Sequence, residues 1–434
     1  MQLSPSYRKK IASSVGMVSV VLIAYQMVII QILSISQWHH FAFMVISMAM
    51  LGFGAAGTCL ALFNRFFLTH FQAILPLLLV FAGVSMAATA WLIGLFGDYD
   101  VFLLFFERRQ AGMMLFSYLA YCLPFFWGGL AITLVFYHQV ERIGTFYFFN
   151  LAGSALGGIC AILLFWLLPL PLISPLLALI MIISAWLLRT GMRYRYTVFA
   201  LSLVIPLLAF IRPISPNVSE YKAISGALQL PEAEITYERF SPYGLLQRVD
   251  APTLRYAPAL SLTYRGEPPV RSVLYNNGEY FGTLPEQWKE VCPDVTEERN
   301  DTEDRRGRYI LDYSTRGLPY AVKRPESMLV VHSGTGNDIA HGRCHGVPSI
   351  VGIEPHRQAV DLLKHRHPEW TDSLFLQPGI EVEATSARTW LAREQDRTFD
   401  LVVMPILGTF GGNSGIHALE EQYHLTIEAF QNVW

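Results

Sequence analysis

Charged side chains make up only 15% of this 434-residue chain, against roughly one quarter in soluble proteins. The shortage is local: charges are sparse before Arg212 and common after it, so the average mixes two solvents. A net charge of −2, with no basic face, excludes a nucleic-acid partner. Cysteine is scarce as well. Cys59, Cys122 and Cys160 lie in apolar segments, which leaves Cys292 and Cys344 in the polar half. They form no CxxC and no metal-like cluster with histidine, so no metal is expected. They read as inert thiols, since a disulfide would require an oxidising compartment. A Gly-Lys-Ser/Thr phosphate loop is missing, which excludes a P-loop nucleotidase. No carboxylate lies deep inside an apolar run: Asp98, Asp100, Glu107 and Glu141 fall between runs, which argues against a transport pathway.

Long hydrophobic runs are what the first half does contain. Segments near 11–34, 41–63, 74–96, 114–137, 146–168, 172–188 and 196–211 approach the twenty or so residues that span a bilayer. The last is the shortest and contains Pro206. The first is not a cleaved signal peptide, because no small-residue cleavage site follows it and another span comes at once. Gly52, Gly54, Ala56 and Gly57, and again Gly153 and Gly157, are spaced to let helices approach closely. Asn150 is expected to hydrogen-bond between helices. The segment Gln37-Trp38-His39-His40 suits a headgroup-level turn better than a haem or metal ligand pair. A bundle that anchors the chain in lipid, or joins other membrane proteins, is the default reading. Arg8, Lys9, Lys10, Arg65, Arg142, Arg189, Arg193 and Arg195 fall on one side, opposed by Arg108 and Arg109. The positive-inside rule makes that side cytoplasmic. If 196–211 spans, the polar half lies outside; if it stays in the interface, the polar half lies inside.

From 213 to about 324 the sequence reads as a small β-rich domain. Strand-like runs occur at Ile235–Phe240, Leu245–Val249, Leu260–Tyr264 and Arg271–Tyr275. They are bounded by turns at Ser241-Pro242-Tyr243-Gly244, Arg265-Gly266-Glu267-Pro268 and Asn276-Asn277-Gly278. The segment Asp294–Arg308 is a highly charged loop. From 325 to 434 strands and helices alternate. The strands are Met328–His332, Ser349–Ile353, Ile380–Ala384 and Leu401–Met404; the helices are Gln358–His367, Ala387–Glu394 and Leu419–Val433. Such alternation implies a parallel sheet with ligands at the carboxyl ends of its strands.

The first of these strands opens into Ser333-Gly334-Thr335-Gly336-Asn337-Asp338, and the second ends on Glu354. Glycines let a backbone approach a nucleotide, and the acid meets a ribose hydroxyl. A dinucleotide fingerprint takes a third glycine where this chain has Ile339, which disfavours NAD. The shorter pattern fits S-adenosylmethionine-type ligands better.

These features together resemble the spermidine synthase (polyamine aminopropyltransferase) family from about Glu238 onward. Glu238 with Ser241-Pro242-Tyr243-Gly244 is similar to that family's first strand and turn, and Tyr275-Asn276-Asn277-Gly278 stands at its Asp-Gly turn. Val351-Gly352-Ile353-Glu354-Pro355 resembles its ribose-binding strand, and Phe399-Asp400-Leu401-Val402-Val403 its fourth strand. The membrane half, with Trp38–Phe43 and Asn150–Gly153, and the tail 421–430 resemble more specifically large bacterial multi-pass membrane proteins fused to a spermidine-synthase-like domain.

The resemblance implies a transmembrane helical bundle (1–212) in a bacterial inner membrane, a small β domain (213–324) and a Rossmann-like, methyltransferase-type domain (325–434). It also implies S-adenosylmethionine or its decarboxylated form as cofactor, held by Gly334, Gly336, Asp338 and Glu354, with Ser386 at the adenine-binding position. The acceptor is a small molecule not specified by the sequence. Several functional residues depart from the family pattern. The strand-four aspartate that deprotonates the amine falls at Met404-Pro405, the adenine acid at Ser386, and one acid of the ribose pair at Gly352. The polyamine-pocket acids are not recognisable around Tyr309–Tyr313. Without a base, an amine that is protonated at neutral pH is not activated. Further strands are expected after Leu419–Val433, so the chain reads as a fragment or as having its sheet edge completed by another element. Two readings follow: a membrane-anchored transferase, or a catalytically degenerate accessory subunit of a membrane complex. The pocket keeps its floor and lacks its catalytic wall, so binding is expected before turnover.

Overall fold

In the apolar half, backbone groups removed from water must pair within their own segment, and helices result. They are α1 (Pro5–Ser36), α2 (Ala42–Leu62), α3 (Asn64–Thr69), α4 (Phe71–Phe96), α5 (Arg108–His138), α6 (Ile143–Leu167), α7 (Leu170–Leu187) and α8 (Arg195–Ile211). The computed structural model describes residues 4–37, 42–96, 99–101, 103–188, 195–292, 309–394, 396–405 and 426–433. Its two compact units are Met1–Ser219 and Glu220–Trp434. Among the described residues six helices are long and apolar enough to cross a membrane. The seventh expected span, α8, has 17 residues and a length of about 26 Å at 1.5 Å per residue. It runs through Pro206 without a break and packs against α4 and α7 as a bundle member. The segment 38–41, with its paired histidines, lies outside the described residues.

α1 is the hub of this unit and packs against α2, α5, α6 and α7. Its contact with α6 rests on small residues. A Cβ on Gly153 would fall on the Gly16 carbonyl, and one on Gly157 would come within 2.7 Å of the Val20 carbonyl oxygen. At the same seam Ser19 Oγ donates to Asn150 Oδ1 at 2.8 Å, the interhelical bond expected of that amide. The other glycine cluster is used less fully. Gly52 meets Phe125 and Phe126 of α5, whereas a Cβ on Gly54 or Gly57 would meet open space.

The second unit begins with the short helix α9 (Ala223–Leu228) and an antiparallel sheet. Its strands are β1 (Glu234–Ser241), β2 (Gly244–Asp250), β3 (Ser272–Asn276) and β4 (Glu279–Thr283), in that spatial order. The β3–β4 turn has Asn277 at φ 51° and Gly278 at φ 76°. Positive φ at both central residues is the geometry of a tight hairpin turn, which favours Asn-Gly. The run Leu260–Tyr264 is turns and coil rather than a strand, and β4 takes the fourth place. Short helices α10 (Trp288–Val291) and α11 (Leu318–Val322) lead into β5 (Ser327–Val331).

From there strands and helices alternate: α12 (Asn337–Cys344), β6 (Ser349–Ile353), α13 (Arg357–Asp361), β7 (Ile380–Glu383), α14 (Ala387–Arg393), β8 (Leu401–Val403) and α15 (Ile427–Val433). The four strands pair in parallel in the order β7-β6-β5-β8. One apolar core joins both sheets, with Leu274, Leu284 and Trp288 packed in the same cluster as Met328, Val330, Ile350 and Phe375. The β-rich and α/β segments, read from sequence as two domains, therefore belong to one compact unit. The expected charged loop 294–308 and the start of the last expected helix lie outside the described residues.

The glycine seam makes a paired prediction. Gly153→Ala forces α1 and α6 apart and should cost about 1–3 kcal/mol, whereas Gly158→Ala, which meets nothing within 4 Å, should be near neutral. Thermal midpoints of the two variants in detergent check this; equal midpoints would remove the seam from the account.

Candidate functional site

At the carboxyl end of β5 the chain turns through His332, Gly334 and Gly336 at φ 56°, 54° and 94°. Left-handed backbone is strained for histidine and free for glycine. The turn is held from two sides. On one, Thr335 Oγ1 and Asn337 Nδ2 each donate to the Thr283 carbonyl at 2.5 Å, and Tyr309 Oη donates to Asn337 Oδ1 at 3.0 Å. On the other, Glu354 reaches back from the end of β6. Its Oε2 accepts from the Gly334 amide and its Oε1 from the His356 amide, each at 2.9 Å. The residue is only 4% exposed. Burial pushes its carboxyl up to about 7, although the two amide bonds oppose that shift.

The position that sequence reasoning read against NAD has a packing explanation. A Cβ on Gly352 would come within 2.8 Å of Ile339 Cδ1. In a dinucleotide turn the third glycine lets the helix approach the strand; here the strand supplies the glycine and the helix the large side chain. Gly342 continues this close approach, since a Cβ there would meet the methyl end of Met328 and, at 3.2 Å, Ile350 Cδ1.

The five expected site residues do not converge. Gly334, Gly336 and Glu354 share the carboxyl edge of the sheet. Asp338 is buried in α12, where Arg316 Nη1 donates to its Oδ2 at 3.0 Å, so the side chain is engaged with protein. Burial raises its carboxyl and Arg316 opposes the rise. Ser386, exposed beyond β7, caps α14 by accepting from the Thr389 amide at 3.2 Å. Met404 and Pro405 follow β8 where a base was expected from the resemblance. Asp400 lies at the opposite end of that strand. Its Oδ2 accepts from the amides of Glu326 and Ser327 at 2.9 and 3.1 Å, and these bonds hold its carboxyl below the usual range.

Two features escaped the sequence reading. Cys292 and Cys344 are joined in a disulfide with Cα atoms 5.0 Å apart, which corrects their reading as free thiols. Cys59, Cys122 and Cys160 are free, as expected. His341 and His345 also converge with Asp312, and their spacing of four across the end of α12 is the available signal. No family model matches the chain, and no curated protein matches it.

Glu354 gives the site a pH signature. Its folded value of about 7 lies above the ordinary 4.5, so the folded state holds the proton more tightly between those values. Stability from this group is full below about 4.5 and is lost as pH rises towards 7, amounting to about 3 kcal/mol at about 1.4 kcal/mol per unit. Between pH 5 and 8 the wild type should therefore lose more thermal stability than Glu354→Gln. Parallel pH profiles for the two proteins would contradict the buried-carboxyl account.

Proposed function

We propose that this chain is a membrane-anchored relative of spermidine-synthase-like transferases that serves as a non-catalytic accessory subunit of a membrane protein complex. The observation that carries this reading is the fate of the site acid. Both Glu354 oxygens accept backbone N–H bonds within the fold, and Met404-Pro405 offers no group able to take a proton from an amine. An aminopropyl transfer without a base leaves the acceptor protonated and unreactive. The α/β segment is read as Rossmann-like and methyltransferase-type, with its strand order and glycine turn in support.

Sidedness belongs to the same proposal. Seven crossings, with α8 counted, put the second unit on the side opposite Arg8, Lys9 and Lys10. That side is external by the positive-inside rule. The Cys292–Cys344 bridge supports it, because disulfides persist in oxidising compartments, whereas S-adenosylmethionine is a cytosolic cofactor. The membrane is then a bacterial inner membrane, with the second unit on its outer face.

A second reading keeps a ligand without requiring turnover. Ser333 Oγ is buried beside the glycine turn with no hydrogen-bond partner among the described residues. An orphaned hydroxyl next to left-handed glycines favours an adenosyl-type ligand at Gly334, Gly336 and Glu354. A reporter fused after Arg212, with alkylation of Cys292 and Cys344 in intact cells, separates the readings. An external reporter and cysteines that react only after reduction are expected. A cytoplasmic reporter with freely reacting thiols would overturn the external placement and favour the adenosyl-ligand reading.

A further inference from the structure

Outside the glycine turn, three side chains of the second unit bring ligand atoms together. His341 lies on α12 and His345, four residues on, caps its carboxyl end, while Asp312 comes from the turn before α11. His341 Nε2 lies 2.9 Å and His345 Nε2 2.7 Å from one atom, Asp312 Oδ1. All three ligand atoms lie within 4.8 Å of one another. The other carboxylate oxygen is held apart, accepting from the Tyr309 amide at 3.1 Å.

The surroundings orient each ring. Tyr320 stacks on His345 with centroids 4.2 Å apart and planes 7° apart, and Tyr309 stacks on His341 at 5.7 Å and 21°. The disulfide ends on Cys344, between the two histidines in sequence, and fixes the end of α12 to Cys292. Two imidazole nitrogens aimed at one oxygen, with their rings oriented by stacking, describe a site in which a cation can replace the Nε2 protons. The proton of each neutral ring then sits on Nδ1.

We propose that Asp312, His341 and His345 form a binding site for a divalent transition ion of the zinc class. Two imidazoles and one carboxylate suit zinc at about 2.0–2.2 Å per ligand, and three protein ligands leave one coordination position for water. His345 is the outermost ligand, with its side chain 19% exposed against 1% for His341. The open position accordingly lies on the His345 side. The sequence expectation of no metal rests on the cysteines, which form no CxxC and no cluster with histidine; Asp312 stands 29 and 33 residues from the two histidines. The proposal does not rest on the accessory role.

The test uses the full chain in detergent, stripped with chelator, kept non-reduced and titrated with ZnCl2 by calorimetry. Cobalt(II) absorption provides a second readout. One equivalent of Zn2+ at micromolar or tighter affinity is expected, together with a cobalt spectrum of low-coordinate N/O ligation. His345→Gln and Asp312→Asn should each weaken binding by at least roughly tenfold. His345→Gln changes the most exposed ligand; its metal-free thermal midpoint is measured alongside and binding is compared well below that midpoint, so weaker binding in that variant is not a folding defect. Absence of saturable binding at low-millimolar metal, or unchanged affinity in both variants, overturns the proposal.

Discussion

The second unit depends on a carboxylate placed where water cannot reach it. Glu354 ends a buried parallel strand, and a desolvated carboxylate is costly unless donors surround it. The donors available are the amides of Gly334 and His356. Accepting from both fastens the glycine turn to the second strand of the sheet, and left-handed backbone at Gly334 lets its amide point inward. The turn then presents Thr335 and Asn337 to Thr283, which fastens the antiparallel sheet to the parallel one. A residue type that binds a ribose in nucleotide-binding folds here also supports the glycine turn of the fold.

The first unit answers to a different constraint. With apolar surroundings on all sides, helix contacts gain little from hydrophobic burial and depend on close backbone approach and a few polar bonds. Gly153 and Gly157 supply the approach, and the Ser19–Asn150 bond satisfies two polar groups at the same seam. Proline inside α4, α5, α7 and α8 is tolerated because neighbouring groups can satisfy the freed carbonyls.

How much of this was legible depended on how local each signal is. The hydrophobic runs, the parallel strands and the Asn277-Gly278 turn are local patterns, and each marked its element to within a few residues. The strand β4 follows that turn at once but was missed, while Leu260–Tyr264 alternates like a strand and joins neither sheet among the described residues. Pairing, not alternation, makes a strand, and pairing is not visible in a short window. The candidate site was legible only in part for the same reason. Gly334 and Glu354 could be joined by the known logic of a nucleotide turn. The Cys292–Cys344 bridge spans 52 residues, and Asp312 meets histidines 29 and 33 residues away. Ile339 was read as a departure from a ligand motif, whereas Gly352 shows it to be half of a packing exchange.

If Glu354 is committed to the turn, the glycine turn has no free acid among the described residues with which to hold a ribose. The most direct measurement is calorimetric titration of the full chain with S-adenosylmethionine and its decarboxylated form at neutral pH. No saturable heat up to millimolar ligand is expected for either compound. Saturable binding at micromolar concentration, abolished by Glu354→Gln, would contradict it and return the acid to a ligand-binding role.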